Sequence, residues 1–350
     1  MRKKLLISVF VVIAGFICFS LFSSEKPIDF NTQVKPILNK KCITCHGGVK
    51  QQGGFSVLFR EEAMAATKSG KPAIIPGNPE DSEFIKRLNS DDPEVRMPYK
   101  HEKLDNHEID ILTKWVEQGA KWGNHWAYLP VKPVEVPAIG NEWARNDLDK
   151  FIFAKLEEKN LKPTKQADRA TLLRRVSLDL IGTYPSAKVA NSYLTTKDEK
   201  KAYEILVDSL LSSPRFGEKW ASMWLDIARY ADTKGYESDP NRNIWQYRDW
   251  VIRAFNKDMP YNQFITDQIA GDLFPNPSDA QYIATAFSRN TPSNDEGGTS
   301  NEEFRVSAVI DRVNATWEGL MSTTFACVQC HAHPYDPIKH DEYYKFMSYF

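Results

Sequence analysis

Cys42-Ile43-Thr44-Cys45-His46 and Cys327-Val328-Gln329-Cys330-His331 are one pattern written twice, Cys-x-x-Cys-His. The chain has five cysteines, and apart from Cys18 the two pentads use them all. The spacing suits one chemistry: two thiols add across the two vinyl groups of a single porphyrin, and the adjoining histidine supplies the proximal ligand to its iron. The pattern predicts two covalently attached c-type haems. Cys42 and Cys45 hold the first, with His46 on the iron; Cys327 and Cys330 hold the second, with His331 on the iron. Three other readings stay open. A redox-active thiol pair wants a strand–helix–strand setting, which neither pentad shows. A zinc site made of both Cys-x-x-Cys knuckles leaves the repeated histidine unexplained. Two local disulfides are the third.

Upstream of the first pentad, Phe30, Val34, Ile37 and Leu38 recur at helical spacing and predict a helix that delivers the cysteines to the porphyrin edge. Downstream, Gly47, Gly48, Gly53 and Gly54, then Pro76-Gly77-Asn78-Pro79, read as loop and turns. Arg96-Met97-Pro98 follows. Met97, held extended by the next proline, offers a thioether as sixth ligand, which favours ferrous iron and raises the potential. A core-filling methionine is the plainer alternative. His101 and His107 are rivals from a polar segment, and His125 reads as structural. Leu104, Ile109, Leu112, Trp115 and Val116 predict an amphipathic helix that stops near Gly119. Helix, pentad, methionine loop, helix is the chain order of a small class I cytochrome c.

At the N-terminus, Arg2, Lys3 and Lys4 precede an apolar run from Leu5 to Phe22. Residues 1–24 therefore read as an export signal or an N-terminal membrane anchor, with Cys18 a thiol inside the apolar run. Either way the mature chain is expected in the periplasm or another extracytoplasmic compartment. The 350 residues divide naturally into two domains. The balance of 45 basic and 46 acidic residues argues against nucleic acid as a partner, and 42% hydrophobic with 26% charged residues is an ordinary globular composition.

The first domain is assigned to 25–126 and a linker to 127–145, where Pro130, Pro133 and Pro137 describe an extended connector. From 146 to 350 the pattern is helical throughout, so the fold class is mainly α. Leu148, Phe151, Ile152 and Leu156 share one helix face. Asp168 caps a helix that Gly182 stops, and Asp198 opens another bearing Leu206 and Leu210. Trp220, Trp224, Trp245, Trp250 and Trp317 read as core rather than as a sugar-binding face. The polar stretch 291–303, with Asn294, Asp295 and Glu296, lacks the ligand spacing of a calcium loop and reads as a turn and a helix cap. Arg305 and Arg312 are candidates to pair with haem propionates or acidic neighbours. For the second iron the sixth ligand is open among Met259, Met321, His333 and His340, with a five-coordinate iron as a further alternative.

The chain resembles the planctomycete-type (PSCyt) cytochromes, in which a cytochrome c domain precedes a helical domain of unassigned function. The motifs that carry this in the first domain are Cys-Ile-Thr-Cys-His-Gly, Ile75-Pro76-Gly77-Asn78-Pro79, Arg96-Met97-Pro98 and Trp115-Val116-Glu117-Gln118-Gly119. In the second they are Ala167-Asp168-Arg169, Trp224-Leu225-Asp226, Tyr247-Arg248-Asp249-Trp250, Asn294-Asp295-Glu296-Gly297-Gly298 and Cys327 through Ile338. The resemblance implies an exported haem protein and supports Met97 as distal ligand. It also implies a further C-terminal domain, so that this chain, ending at Phe350 within an expected helix, is read as truncated.

The leading functional reading is an exported di-haem cytochrome that transfers electrons to or from a redox partner protein, an electron carrier rather than a catalyst. One alternative is a di-haem peroxidase- or oxidase-like enzyme with an open second haem, served by His333, Arg312 and Asp336. Another is a module that binds a polysaccharide, a polysaccharide-degrading enzyme or a C-terminal partner domain, with redox-sensing haems.

Overall fold

The computed structural model describes residues 26–139 and 142–350. The expected signal or anchor lies outside them. Among the described residues the only β-pairing is three isolated bridges, so the chain is mainly α. No helix there is long and apolar enough to cross a membrane.

Two units divide the chain. The first runs to Val131 and takes in Cys327–Tyr343; the second is Lys132–Ala326 with Tyr344–Phe350. The segment 327–343, expected from the sequence in the helical domain, therefore belongs with the cytochrome-like unit. The reason is local packing. Ala332 lies against the first unit's core, the backbone of 332–333 meets Gly48, and Lys339 sits over the Phe59 ring beside Glu61.

In the first unit, a π turn at Phe30–Val34 leads into α1 (Lys35–Lys41), and Phe30, Val34, Ile37 and Leu38 are all buried. Two short helices follow, α2 (Arg60–Ala63) and α3 (Glu83–Asn89). Helix α3 was not expected from the sequence, although Phe84, Ile85 and Leu88 give it a buried stripe. The closing helix α4 (Asn106–Glu117) starts on a capping box, in which the Asp105 carboxylate accepts from the Glu108 N–H and the Glu108 side chain accepts from the Asp105 N–H. Trp115 and Leu112 are fully buried, and Phe30 packs against both Trp115 and Trp122.

Residues 129–139 carry no helix, and Val131 is 99% exposed.

The second unit is helix on helix. Helices α5 (Asp147–Glu158), α6 (Arg169–Ile181), α7 (Ala187–Thr195) and α8 (Glu199–Leu211) open on side-chain caps from Asn146, Asp168, Ser186 and Asp198. Gly182 stops α6 at φ +70°, a left-handed backbone that glycine adopts without strain. In α5 the expected apolar face is not the buried one. Leu148 and Ile152 are exposed, and Phe153 turns inward instead, near Trp143. Then come α9 (Pro214–Ile227), α10 (Trp245–Asn256), α11 (Tyr261–Ala270), α12 (Asp279–Ala284) and α13 (Ala286–Arg289). Trp224, Trp250, Phe264 and Phe287 form the core between them, and Met259 packs on its edge; Trp245 stays half exposed. The long α14 (Asn301–Met321) is capped by Ser300, and α15 (His340–Met347) ends the chain.

Candidate functional site

The first pentad caps α1. The Cys42 N–H donates to the Leu38 carbonyl and the His46 N–H to the Cys42 carbonyl, so the motif is a continuation of the helical turn. That turn puts Cys42, Cys45 and His46 on the wall of one cavity of about 1250 Å³. Phe55, Phe84 and Leu88 supply its apolar lining, and Met97 lines it too. Burial pushes the Cys42 thiol up to about 12, with the charges of Glu108 and Cys45 adding to the effect.

His46 is half-buried, and its Nδ1 lies 3.3 Å from the Phe55 carbonyl oxygen. A carbonyl can only accept, so Nδ1 carries the proton and Nε2 keeps its lone pair for a metal. Burial also holds the ring's pKa below the ordinary histidine value, favouring the neutral, ligating form.

Met97 is half-buried against the core, its N–H fixed on the Arg87 carbonyl at 3.0 Å. Of the two rival histidines, His101 lines the same cavity while His107 is exposed in the first turn of α4. His125 is structural. Its Nδ1 accepts from the Ala127 N–H, and its Nε2 lies 2.9 Å from Asp336.

The second pentad forms a 3-10 turn at Ala326–Gln329, with Val328 fully buried, Cys327 half-buried and Cys330 exposed. The His331 Nδ1 donates to the Ala332 carbonyl at 2.7 Å, again leaving Nε2 for a metal. His340 bonds through Nδ1 to the Val328 carbonyl at 2.7 Å, inside the pentad. The buried His333 ring accepts from the Tyr335 and Asp336 N–H groups and so braces the following turn. Met321 is exposed. None of the four cysteines is in a disulfide. Among the described residues no group of three or more His, Cys, Asp or Glu is arranged to hold a metal ion, so the two pairs of thiols are not pooled in one zinc-type cluster.

Of the remaining candidates, Arg312 lies on α14 with its buried Nε unpartnered, and the others have local partners. Lys234 pairs with Asp295, and Glu296 accepts from Ser238, so this loop is tied down by its own acids. Arg305 pairs with Glu302 on the surface of α14.

A cavity lined by apolar side chains, two thiols on one edge, an imidazole with Nε2 presented and a methionine on the wall fit a porphyrin and its iron. The first unit is cytochrome c-like, with residues that fit a covalently held haem. The planctomycete cytochrome C family model (PSCyt1) matches residues 42–100, which include Cys42, Cys45, His46 and Met97. A second model, PSCyt2, described as a protein of unknown function (DUF1549), matches 147–350, and the chain belongs to that family. No curated protein and no solved structure matches the chain.

Proposed function

We propose that this protein is an exported di-haem cytochrome that relays single electrons between two covalently held centres, with Met97 as the distal ligand of the first. The observation that carries the reading is the contact between the two pentads' loops. A Cβ built on Gly48 would lie 2.5 Å from the His333 carbonyl oxygen and 2.7 Å from that of Ala332. Gly48 is two residues past His46, and Ala332 one past His331. With 3.8 Å between consecutive Cα atoms, the two histidine Cα atoms lie within about 20 Å of each other. Haem, when bound, supplies one-electron chemistry; the chain's own residues fix the thioether anchors, orient the imidazoles and exclude water from the first cavity. The cationic start and apolar run of the first 22 residues support export.

The test is to express the full chain in a host that matures c-type haem and to quantify pyridine haemochrome. Two haems per chain are expected, falling to one in Cys327→Ser/Cys330→Ser and one in Cys42→Ser/Cys45→Ser. A single haem in the unaltered chain would reduce the reading to a mono-haem cytochrome. A high-spin, ligand-accepting second iron would turn it toward the peroxidase- or oxidase-like alternative.

A further inference from the structure

Arg229 stands where a helix commonly ends on glycine. Just past α9 its N–H donates to the Asp226 carbonyl, the Tyr230 N–H donates to the Leu225 carbonyl, and its own φ is +55°. Glycine takes that left-handed backbone without strain and a residue with a Cβ does not. The strained position holds a guanidinium inside the second unit. Its Nη2 donates to Asp311 at 2.8 Å and to the Thr291 hydroxyl at 3.4 Å, and its Cζ lies 5.9 Å from the centre of the Phe287 ring. Its Nε and Nη1 are buried and have no hydrogen-bond partner among the described residues. Asn290, the residue before Thr291, is 1% exposed, and both polar atoms of its side chain are also without a partner. Turning the amide over changes nothing, since nitrogen and oxygen are orphaned alike.

A second guanidinium sits at the same place. Arg242 donates to the carbonyls of Ala231, Arg289, Asn290 and Thr291, and among the described residues it holds no ion pair. The two nearby acids are engaged elsewhere: Asp232 accepts from the Tyr230 hydroxyl at 2.6 Å and Asp239 from the Gly235 N–H at 2.6 Å. Burial lowers the Arg242 pKa and the charge of Arg229 lowers it further, against Tyr230, Asp232 and Asp239. Arg229 and Arg242 therefore share one ion-paired carboxylate, that of Asp311, and one positive charge has no counter-charge in contact. Folded chains rarely leave either a buried donor or a buried charge unanswered.

We propose that the second unit binds a small carboxylate at this place, its oxygens accepting from the free Arg229 N–H groups and the Asn290 amide. Water would satisfy the donors and leave the charge; a dianion would overshoot it. A carboxylate brings one negative charge and the planar pair of acceptors that a guanidinium matches. The place lies between two loops, the hairpin 232–242 and the stretch that starts at Thr291. They are joined by the Ser293 N–H on the Lys234 carbonyl, by the Lys234–Asp295 pair and by Glu296 on Ser238. All these residues belong to the second unit, so the proposal stands apart from the electron-transfer reading.

The experiment follows thermal unfolding of the full chain by scanning calorimetry, with sodium acetate as the probe replacing sodium chloride at constant ionic strength, so that screening stays fixed. A ligand of the folded state raises the midpoint by mass action. The expected result is a rise of a few degrees that saturates with acetate and is lost in Arg229→Gln. Asn290→Asp supplies a carboxylate from the chain itself; it should raise the midpoint in chloride and remove the response to acetate. Equal midpoints in acetate and chloride overturn the proposal, and water then answers the orphaned donors. A rise that never saturates, or that persists in Arg229→Gln, also overturns it, because it marks a general solvent effect. Should Arg229→Gln fail to fold, Asn290→Asp decides: a lowered midpoint in chloride with the acetate response intact overturns the proposal.

Discussion

Gly48 and His333 lie 285 positions apart in the chain, yet no side chain can be placed on Gly48 without meeting the His333 carbonyl oxygen. Both atoms a new Cβ would strike are main-chain oxygens, which cannot rotate away. Gly48→Ala should destabilise the first unit by about 1–3 kcal/mol, the range for overpacking a filled site. Gly53 has φ +69° and open space around its Cβ position, so Gly53→Ala should cost only the backbone term, about 1 kcal/mol. Denaturant titration followed by haem absorbance distinguishes the two. Equal losses would mean that the 332–333 backbone yields easily and that the two loops are not firmly apposed.

In the second unit the stability test is a buried hydrogen-bond triangle. Gln268 Oε1 accepts from Tyr247 Oη at 2.6 Å and from Trp224 Nε1 at 2.8 Å, while its amide donates to the Phe264 carbonyl. Gln268→Leu leaves the tyrosine and indole without that acceptor and should cost about 2–4 kcal/mol; Tyr247→Phe should cost about 1 kcal/mol. The double variant should lose less than the sum, because the hydroxyl orphaned by the first change is gone. Additive losses, read from the urea midpoint by tryptophan fluorescence, would show that the three groups do not act together.

Thiol chemistry separates the two pentads before haem is attached. The Cys42 thiol is pushed up to about 12, so little thiolate forms there at mildly alkaline pH, whereas Cys330 is exposed. In the native haem-free chain, iodoacetamide should modify Cys330 well ahead of Cys42, and denaturant should erase the difference. Mass spectrometry of timed digests reports the order. Equal native rates would contradict the burial of Cys42.

Acid should weaken the first unit through His125. Its pKa is held below the ordinary 6.5, first by burial and then by the charge of Lys35, with Asp336 pulling the other way and Tyr128 packed against the ring. The unfolded chain therefore takes up a proton at higher pH than the folded one. Stability from the neutral ring is present above about 6.5 and declines as pH falls toward the depressed folded value. The denaturation midpoint of the haem-loaded chain should drop between pH 7.5 and pH 5.5, and drop less in His125→Asn. An equal drop in both would assign the acid sensitivity to other groups.

Much of this was legible in the sequence, because the signals involved are local. Asp168 and Asp198 each announce a helix within three residues, and Gly182 stops one by its own backbone preference. The walls of the first cavity were legible for the same reason: a fixed pentad and then a methionine before a proline line it together. What sequence periodicity leaves undetermined is the partner of each face. Leu148 and Ile152 satisfy the helical repeat as well as Phe153 does, and only packing decides that Phe153 is the buried one. The packing of 327–343 is undetermined for the same reason. Its neighbours in space are Gly48 and Phe59, and nothing in the spacing of Cys327 to Ile338 names them. Helix α3 is different, since the Phe84, Ile85, Leu88 stripe was there to be read and only its shortness concealed it.

The discontinuity of the first unit has a bearing on biosynthesis. Its last piece is made roughly two hundred residues after the rest, and a loop of that length costs only a little more to close than one half as long. Entropy does not forbid the late arrival; timing is what it changes. A chain emerging N-terminus first exposes Cys42 and Cys45 while Ala332 and His333 are still unmade, so the loop at Gly48 stays uncovered through the whole synthesis of the intervening helices. Until the last segment is made, Gly48 has no neighbour from 332–333 against it.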